Sequence, residues 1–328
     1  MEKETLLQTL MEYTNRETKL SDLVEELGIN ELEILGLVKE LRTSGINISV
    51  KVHDDDIYLF NQGEREQDTE NTYNLTTDDC HEFKFIAISD TLIGSKYQQL
   101  SLLNDIYQKG YEMGYHNVIL CGNLTAGLYP ITNSYADSCF LDDTMRQVDY
   151  IIQNYPQVEG MKTYFIAGPN DEKHLKKNKI NIGKRISDSR KDMIYLGFNS
   201  CSIEIDKTKM FVNCSKLGKT YTVSYRSQQQ IDSFRSEDKP DIFLLGGLLQ
   251  MEKYTYRDVI AISVPSVCAT TKEMTEKRYQ NTIGAWYITV KTNTKGYLES
   301  VRALDSVYYV TNKNDYAKTR VLKINGGK

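Results

Sequence analysis

Along the first sixty residues the apolar positions recur with a helical period and then with a strand period. Leu6, Leu7, Leu10 and Met11 form one stripe; Leu23, Val24 and Leu27 form a second behind Ser21; Leu32, Leu35, Val38 and Leu41 form a third behind Asn30. Ser21 and Asn30 are residue types that cap helices, and Gly28 and Gly45 stand where the second and third helices should end. From Ile46 to Val52 and from Ile57 to Phe60 the period shortens to two, across Asp54, Asp55 and Asp56, which predicts a hairpin. The next stretch, NQGEREQDTENTYNLTTDD (61–79), is polar with almost no aliphatic content and reads as a linker. Beyond it the pattern runs strand (Phe83 to Ser89), helix (Tyr97 to Tyr111), strand (Asn117 to Cys121), helix (Thr144 to Asn154), strand (Thr163 to Ala167). It then becomes increasingly β, at Met210 to Cys214, Asp241 to Leu245, Val259 to Val264, Ala285 to Val290 and Tyr297 to Leu304.

Three helices and a hairpin resemble a winged helix-turn-helix, expected over 1–62, with a linker at 63–79 and a large α/β domain at 80–328. Alternating strands and helices imply a sheet whose ligand loops lie at the strand C-termini. Two stacked sheets flanked by helices would accommodate the later strands.

Composition narrows the function classes. No apolar run approaches the roughly 18 residues of a membrane span, and the N-terminus is charged and amphipathic, so no membrane association is expected and a cytoplasmic location is. Six cysteines are scattered singly, without metal-site spacing, and read as reduced thiols. Residues 1–70 carry 7 Lys/Arg against 17 Asp/Glu, a net of −10, which leaves 33 against 28, or +5, for the remainder. A DNA-reading module normally presents a basic face to phosphates, and this front module lacks that surplus.

The candidate chemistry lies in four loops: SDTLIG (Ser89 to Gly94), GNLTAG (Gly122 to Gly127), GPND (Gly168 to Asp171) and LLGGLLQ (Leu244 to Gln250). They resemble degenerate forms of the calcineurin-like metallophosphoesterase motifs SDxHxG, GDxxxG, GNHD and GHxH. The segments DMIYLG, YTVSYRSQQQIDSF and VPSVCATT resemble a subgroup of phages and mobile elements that often carries an N-terminal helix-turn-helix. The resemblance implies an αββα sandwich and, in active members, two divalent ions bridged by a carboxylate that clamp a phosphodiester and activate water.

Position by position, the ligand set implied by the resemblance is depleted. Asp90 stands at the first aspartate, but Leu92 replaces a histidine and Asn123 the bridging aspartate. Pro169 replaces an asparagine ligand, Asn170 a catalytic histidine, Cys214 the later single histidine, and Gly247 and Leu249 the paired histidines. Asp171 matches a residue that orients rather than binds. One carboxylate cannot hold two cations, and leucine at two histidine positions brings apolar bulk, so no metal, no cofactor and no catalytic residue is expected. Asp90 and Asp171 read either as remnants of a single-ion site or as loop caps. Cys214 reads either as a nucleophile or as a buried thiol. Of the four histidines, only His174 lies near a motif loop.

A basic run, Lys173, Lys176, Lys177, Lys179, Lys184, Arg185, Arg190 and Lys191, contains a single acid, Asp188. It is a candidate surface for a nucleic-acid backbone or an acidic partner, or simply a solvated loop. The third helix starts with Asn30, Glu31 and Glu33, and the two glutamates would repel phosphates, which favours a protein partner or homodimer over DNA. The expected function is an inactive phosphoesterase-like binding or regulatory subunit in phage or mobile-element nucleic-acid metabolism, in the host cytoplasm if phage-encoded. The alternatives are a phosphodiesterase or nuclease with a rebuilt single-metal site, using manganese or another divalent ion, and a winged-helix DNA-binding regulator.

Overall fold

A computed structural model of the chain describes residues 3–14, 18–43, 46–53, 56–64, 72–130, 132–216, 223–310 and 315–317. Gly45, Asp54, Asp55, residues 65–71 of the expected linker, and Tyr221 and Thr222 lie outside the described residues. The chain forms two compact units, Met1–Thr69 and Glu70–Lys328.

The first unit runs α1 (Lys3–Tyr13), β1 (Thr18–Lys19), α2 (Leu20–Leu27), α3 (Glu31–Thr43), β2 (Ile46–His53) and β3 (Asp56–Glu64), with an antiparallel sheet in the order β1-β3-β2. Its core joins Leu10 of α1, Leu20, Leu23 and Leu27 of α2, and Ile48 and Leu59 of the hairpin to one face of α3. Gly28 ends α2 at φ 65°, a left-handed position that glycine adopts without strain. Two details differ from the sequence reading. Ser21 lies inside α2, where the capping position is Lys19 and no side chain caps the first turn. The buried face of α3 is Ile34, Leu37, Val38 and Leu41, while Leu32 is 81% exposed. At about 100° per residue Leu32 lies about 200° from Ile34, so it belongs to the opposite face. Asn30 is a cap as expected: its Oδ1 accepts from Glu33 N (2.9 Å) while Asn30 N donates to Glu33 Oε2 (3.1 Å).

The second unit continues with β4 (Thr72–Leu75), β5 (Glu82–Ile88), α4 (Leu100–Glu112), β6 (Asn117–Leu120), α5 (Thr144–Asn154), β7 (Lys162–Ala167), α6 (Glu172–Asn178), α7 (Ile182–Ser189) and β8 (Met193–Phe198). There follow β9 (Ser200–Ile205), β10 (Thr208–Cys214), α8 (Val223–Ser233), β11 (Ile242–Gly246), β12 (Glu252–Tyr256), β13 (Val259–Ser263), α9 (Lys272–Lys277), β14 (Gly284–Thr292) and β15 (Leu298–Val307). They build two mixed six-stranded sheets, β15-β14-β5-β6-β7-β8 and β12-β13-β11-β10-β9-β4. Phe83, Phe85 and Ala87 of β5, Ile119 of β6 and Trp286 and Ile288 of β14 face Ile203 of β9, Val212 of β10, Leu244 of β11 and Ile262 of β13 in a core between the sheets. The alternate residues, Ile86, Ile88, Val118, Leu120 and Tyr287, pack outward against Leu103, Ile106 and Tyr107 of α4, Val148 and Ile151 of α5, and Ile182 and Ile186 of α7. On the far side, Ile231 of α8 covers Phe243, Leu245, Val259 and Ala261. The layers are therefore helix, sheet, sheet, helix. Strands buried on both faces explain the near-continuous apolar runs in the sequence.

Part of the expected linker is structure. Thr72–Leu75 pairs in parallel with Ser202–Ile205 as an edge strand, and Asp78 Oδ1 accepts from the amides of Cys80 and Glu82 (both 2.9 Å) to close the turn into β5. With one half-buried face, such a strand needs few aliphatic residues.

The orientation of α3 makes a direct contrast. Ile34→Ala should cost about 2–5 kcal/mol of stability by leaving a cavity, and Leu32→Ala less than about 0.5 kcal/mol. Native-state hydrogen exchange of α3 amides measures both.

Candidate functional site

Three of the motif loops follow β5, β6 and β7, which run parallel in one sheet, and the fourth spans the end of β11 in the other. The structure brings the loops together. Asp90 N donates to Gly122 O (3.0 Å), Leu92 N to Asn123 O (3.2 Å), Ile93 N to Leu124 O (2.9 Å) and Gly247 N to Asp90 Oδ2 (3.1 Å). Close approach requires the motif glycines: a Cβ on Gly168 would lie 2.5 Å from Asn123 N, and one on Gly122 2.5 Å from Cys214 Sγ. Asp90, Leu92, Asn123 and Leu249 hold left-handed φ values of 51°, 45°, 52° and 62°. Each such non-glycine residue costs on the order of 1 kcal/mol, and strain of this kind persists where surrounding structure enforces it.

Two buried carboxylates organise the junction. Asp90 Oδ1 accepts from Asn123 Nδ2 (2.7 Å), and Oδ2 accepts from Ser89 Oγ (2.7 Å) as well as Gly247 N. Asn123 Oδ1 in turn accepts from Asn170 N (3.0 Å), so Asp90 and Asn123 tie all four loops. Burial pushes the Asp90 carboxyl up to about 6 from the ordinary 3.8, against the opposing effect of these three donors. Asp171 is satisfied by Gly168 N (2.7 Å) and Leu124 N (3.0 Å) on Oδ2 and by Thr125 N (2.7 Å) and Oγ1 (2.6 Å) on Oδ1. Its carboxyl is also raised, first by burial. Both aspartates are thus wired to loop donors as caps are.

His174 extends this network. Its Nε2 lies 3.1 Å from Thr125 Oγ1 and its Nδ1 3.0 Å from Thr144 Oγ1. Because the Thr125 hydroxyl donates to Asp171, the bond to the ring must run from Nε2–H; Nδ1 then accepts from Thr144, whose oxygen accepts from Asn178 Nδ2 (2.7 Å). Burial, reinforced by Lys173, lowers the imidazole to about 4, so the ring is neutral at physiological pH. Cys214 is buried beneath Gly122 and Gly168, and burial raises its thiol well above the ordinary value, which suits a packing role and not a nucleophile.

Where the resemblance implies histidines, the structure has an apolar plug: Leu92, Leu249, Cys268 and Met274 pack together, with Tyr279 against them. The residues present do not fit a pair of divalent ions. Both Asp90 oxygens are bonded to protein donors, the Asn123 amide is used at both ends, and no group of three His, Cys, Asp or Glu converges among the described residues.

Above the plug lies a cleft of about 650 Å³. Asp90, Leu92, Asn123, Pro169 and Asn170 reach it from the motifs. Its walls also include Tyr129, Pro130, Tyr135, Lys216 and Met274, which the motif reading did not single out. Gly247 and Leu249 are buried. The basic run is two short helices, not a loop, and its members part company. Lys173 lines the cleft, with Nζ 4.2 Å over the Tyr129 ring and 2.8 Å from Asn170 Oδ1, and burial lowers its pKa. Lys176 pairs with Glu172 at 2.7 Å. Arg190 is buried, bonded to Asp192 and to the carbonyls of Ile152, Tyr155 and Pro156, and so leaves the proposed surface. Lys177, Lys179, Lys184, Arg185 and Lys191 remain exposed.

No family profile matches the chain, and no curated protein matches it. Among solved structures similar to it are an archaeal phosphodiesterase (13% identity over 68% of this chain and 99% of that one, TM-score 0.39). Others are a conserved uncharacterised protein of Streptococcus pneumoniae, a predicted phosphoesterase (12%, 69% and 98%, TM-score 0.31), and Vps29 of Entamoeba histolytica complexed with zinc (11%, 68% and 98%, TM-score 0.32). Likenesses this slight carry no functional assignment.

The lock between Asp90 and Asn123 has two measurable consequences. Asn123→Asp replaces a donor 2.7 Å from Asp90 Oδ1 by a second carboxylate; unfolding in urea should show a loss on the order of 3 kcal/mol at pH 8 and less at pH 5, where the pair shares a proton. Because Asp90 has a folded value of about 6 against the ordinary 3.8, the folded state holds its proton to higher pH. Its contribution is full below the unfolded value and is lost as pH rises through 6, on the order of 3 kcal/mol. Asp90→Asn should flatten that limb of the stability–pH curve.

Proposed function

We propose that this chain is a metal-free relative of the calcineurin-like phosphoesterases that acts by binding, as a scaffold or regulatory subunit. The observation that supports this most is the bond from the Asn123 amide to Asp90: a neutral donor holds the loops at the position where a bridging carboxylate and its cations would be needed. Convergence of the four motif loops supports the resemblance itself, and the Leu92–Leu249 plug supports the loss of metal.

The first unit we read as a winged helix that contacts protein, in another chain or a second copy. Its helix order and three-stranded sheet fit that reading. At the start of α3 the Asn30 and Glu33 side chains are spent on capping, and Glu31 and Leu32 are exposed, a surface poorly matched to phosphates. The exposed cations Lys177, Lys179, Lys184, Arg185 and Lys191 suit an acidic partner or a nucleic-acid backbone. Nucleic-acid metabolism of a phage or mobile element is the setting that the sequence resemblance suggests.

Purified protein loaded with manganese and then desalted should retain no stoichiometric metal and show no turnover of bis-p-nitrophenyl phosphate above the blank. Bound metal with turnover that disappears in Asp90→Ala would overturn the proposal in favour of a rebuilt metal site.

A further inference from the structure

Among the described residues seven charged side chains line the cleft, Lys173, Lys176, Lys216 and Lys277 against Asp90, Glu172 and Glu273. Most of this charge is already matched. Lys176 and Lys277 pair with Glu172 and Glu273 at 2.7 and 2.5 Å, and Asp90 is closed by Ser89, Asn123 and Gly247. Among the described residues Lys173 and Lys216 have no ion pair, and the described lining carries a surplus of one positive charge. The Lys173 ammonium is fixed by the Tyr129 ring and Asn170 Oδ1, which occupy two of its three donors. The third can serve an anion in the cleft without the side chain having to be ordered first.

A monoanion would match the surplus. A dianion would bring uncompensated negative charge beside Glu172 and Glu273. Tyr129 beside the cation, with Pro130 and Met274 elsewhere in the lining, supplies apolar surface, and about 650 Å³ is within the usual size of a small-molecule site. We propose that the cleft is a metal-independent binding site for a planar organic monocarboxylate, with the carboxylate on Lys173 and the ring system against Tyr129, Pro130 and Met274. This inference rests on the metal-free reading of the loops.

A matched set of probes tests it by calorimetry and thermal unfolding of the full chain in EDTA: indole-3-carboxylate, the neutral indole-3-carbinol, the dianionic indoxyl phosphate, and acetate. Indole-3-carboxylate should bind and raise the melting temperature, and the other three should bind more weakly. Lys173→Met should weaken the carboxylate by at least about tenfold while leaving carbinol binding unchanged. Tyr129→Leu should weaken both, and Lys162→Met, outside the cleft, neither. Tighter binding of indoxyl phosphate, an unchanged affinity in folded Lys173→Met, or no binding with or without manganese would overturn the ligand assignment alone. Carboxylate binding that appears only when manganese is added would overturn the metal-free reading with it.

Discussion

The second unit depends on how a fully buried carboxylate is kept in place at the meeting point of four loops. An ionised Asp90 out of water is tolerable only if donors or cations surround it. Here the donors are an amide, a hydroxyl and a backbone N–H, each from a different stretch of chain: Asn123, Ser89 and Gly247. Because each bond is directional, satisfying the charge also sets the register of the loops. The left-handed backbone at Asp90, Leu92, Asn123 and Leu249 persists because that junction over-determines it.

Leu92, Leu249, Cys268 and Met274 pack as an apolar plug, of which Leu92 and Met274 reach the cleft lining. Lys173, Asn170 and Tyr129 on one wall keep a cation positioned over an aromatic ring. The four loops therefore meet at one wired junction and present apolar, cationic and aromatic contacts to the cleft. His174, neutral and held between Thr125 and Thr144, connects this geometry to α5 through a network with every ring nitrogen bonded.

Charge is divided unevenly along the chain. The front unit concentrates acids, and its third helix spends two of its polar side chains on its own first turn. In the second unit the basic run between Lys173 and Lys191 is less of a surface than its composition implies. Arg190 fastens Asp192 and three carbonyls inside the fold, Lys173 belongs to the cleft, and Lys176 is paired.

The strands of the two-sheet core were legible in the sequence because residues buried on both faces have to be apolar without interruption, as in Phe85–Ile88 and Ile242–Leu245. The helices of the first unit were legible by period, and the motif glycines by spacing. The face of α3 was not, because leucines occur on two sides of it and only packing selects Ile34 over Leu32. Nor was the edge strand Thr72–Leu75, whose polar residues acquire order from pairing with Ser202–Ile205. By itself the sequence determined which side chains the four loops carry, since that is a property of residue identity. Only the tertiary structure decided how those side chains are used, because the bond from Asn123 to Asp90, the plug of Leu92 with Leu249 and the placement of Lys173 over Tyr129 join residues brought close by the packing of two sheets.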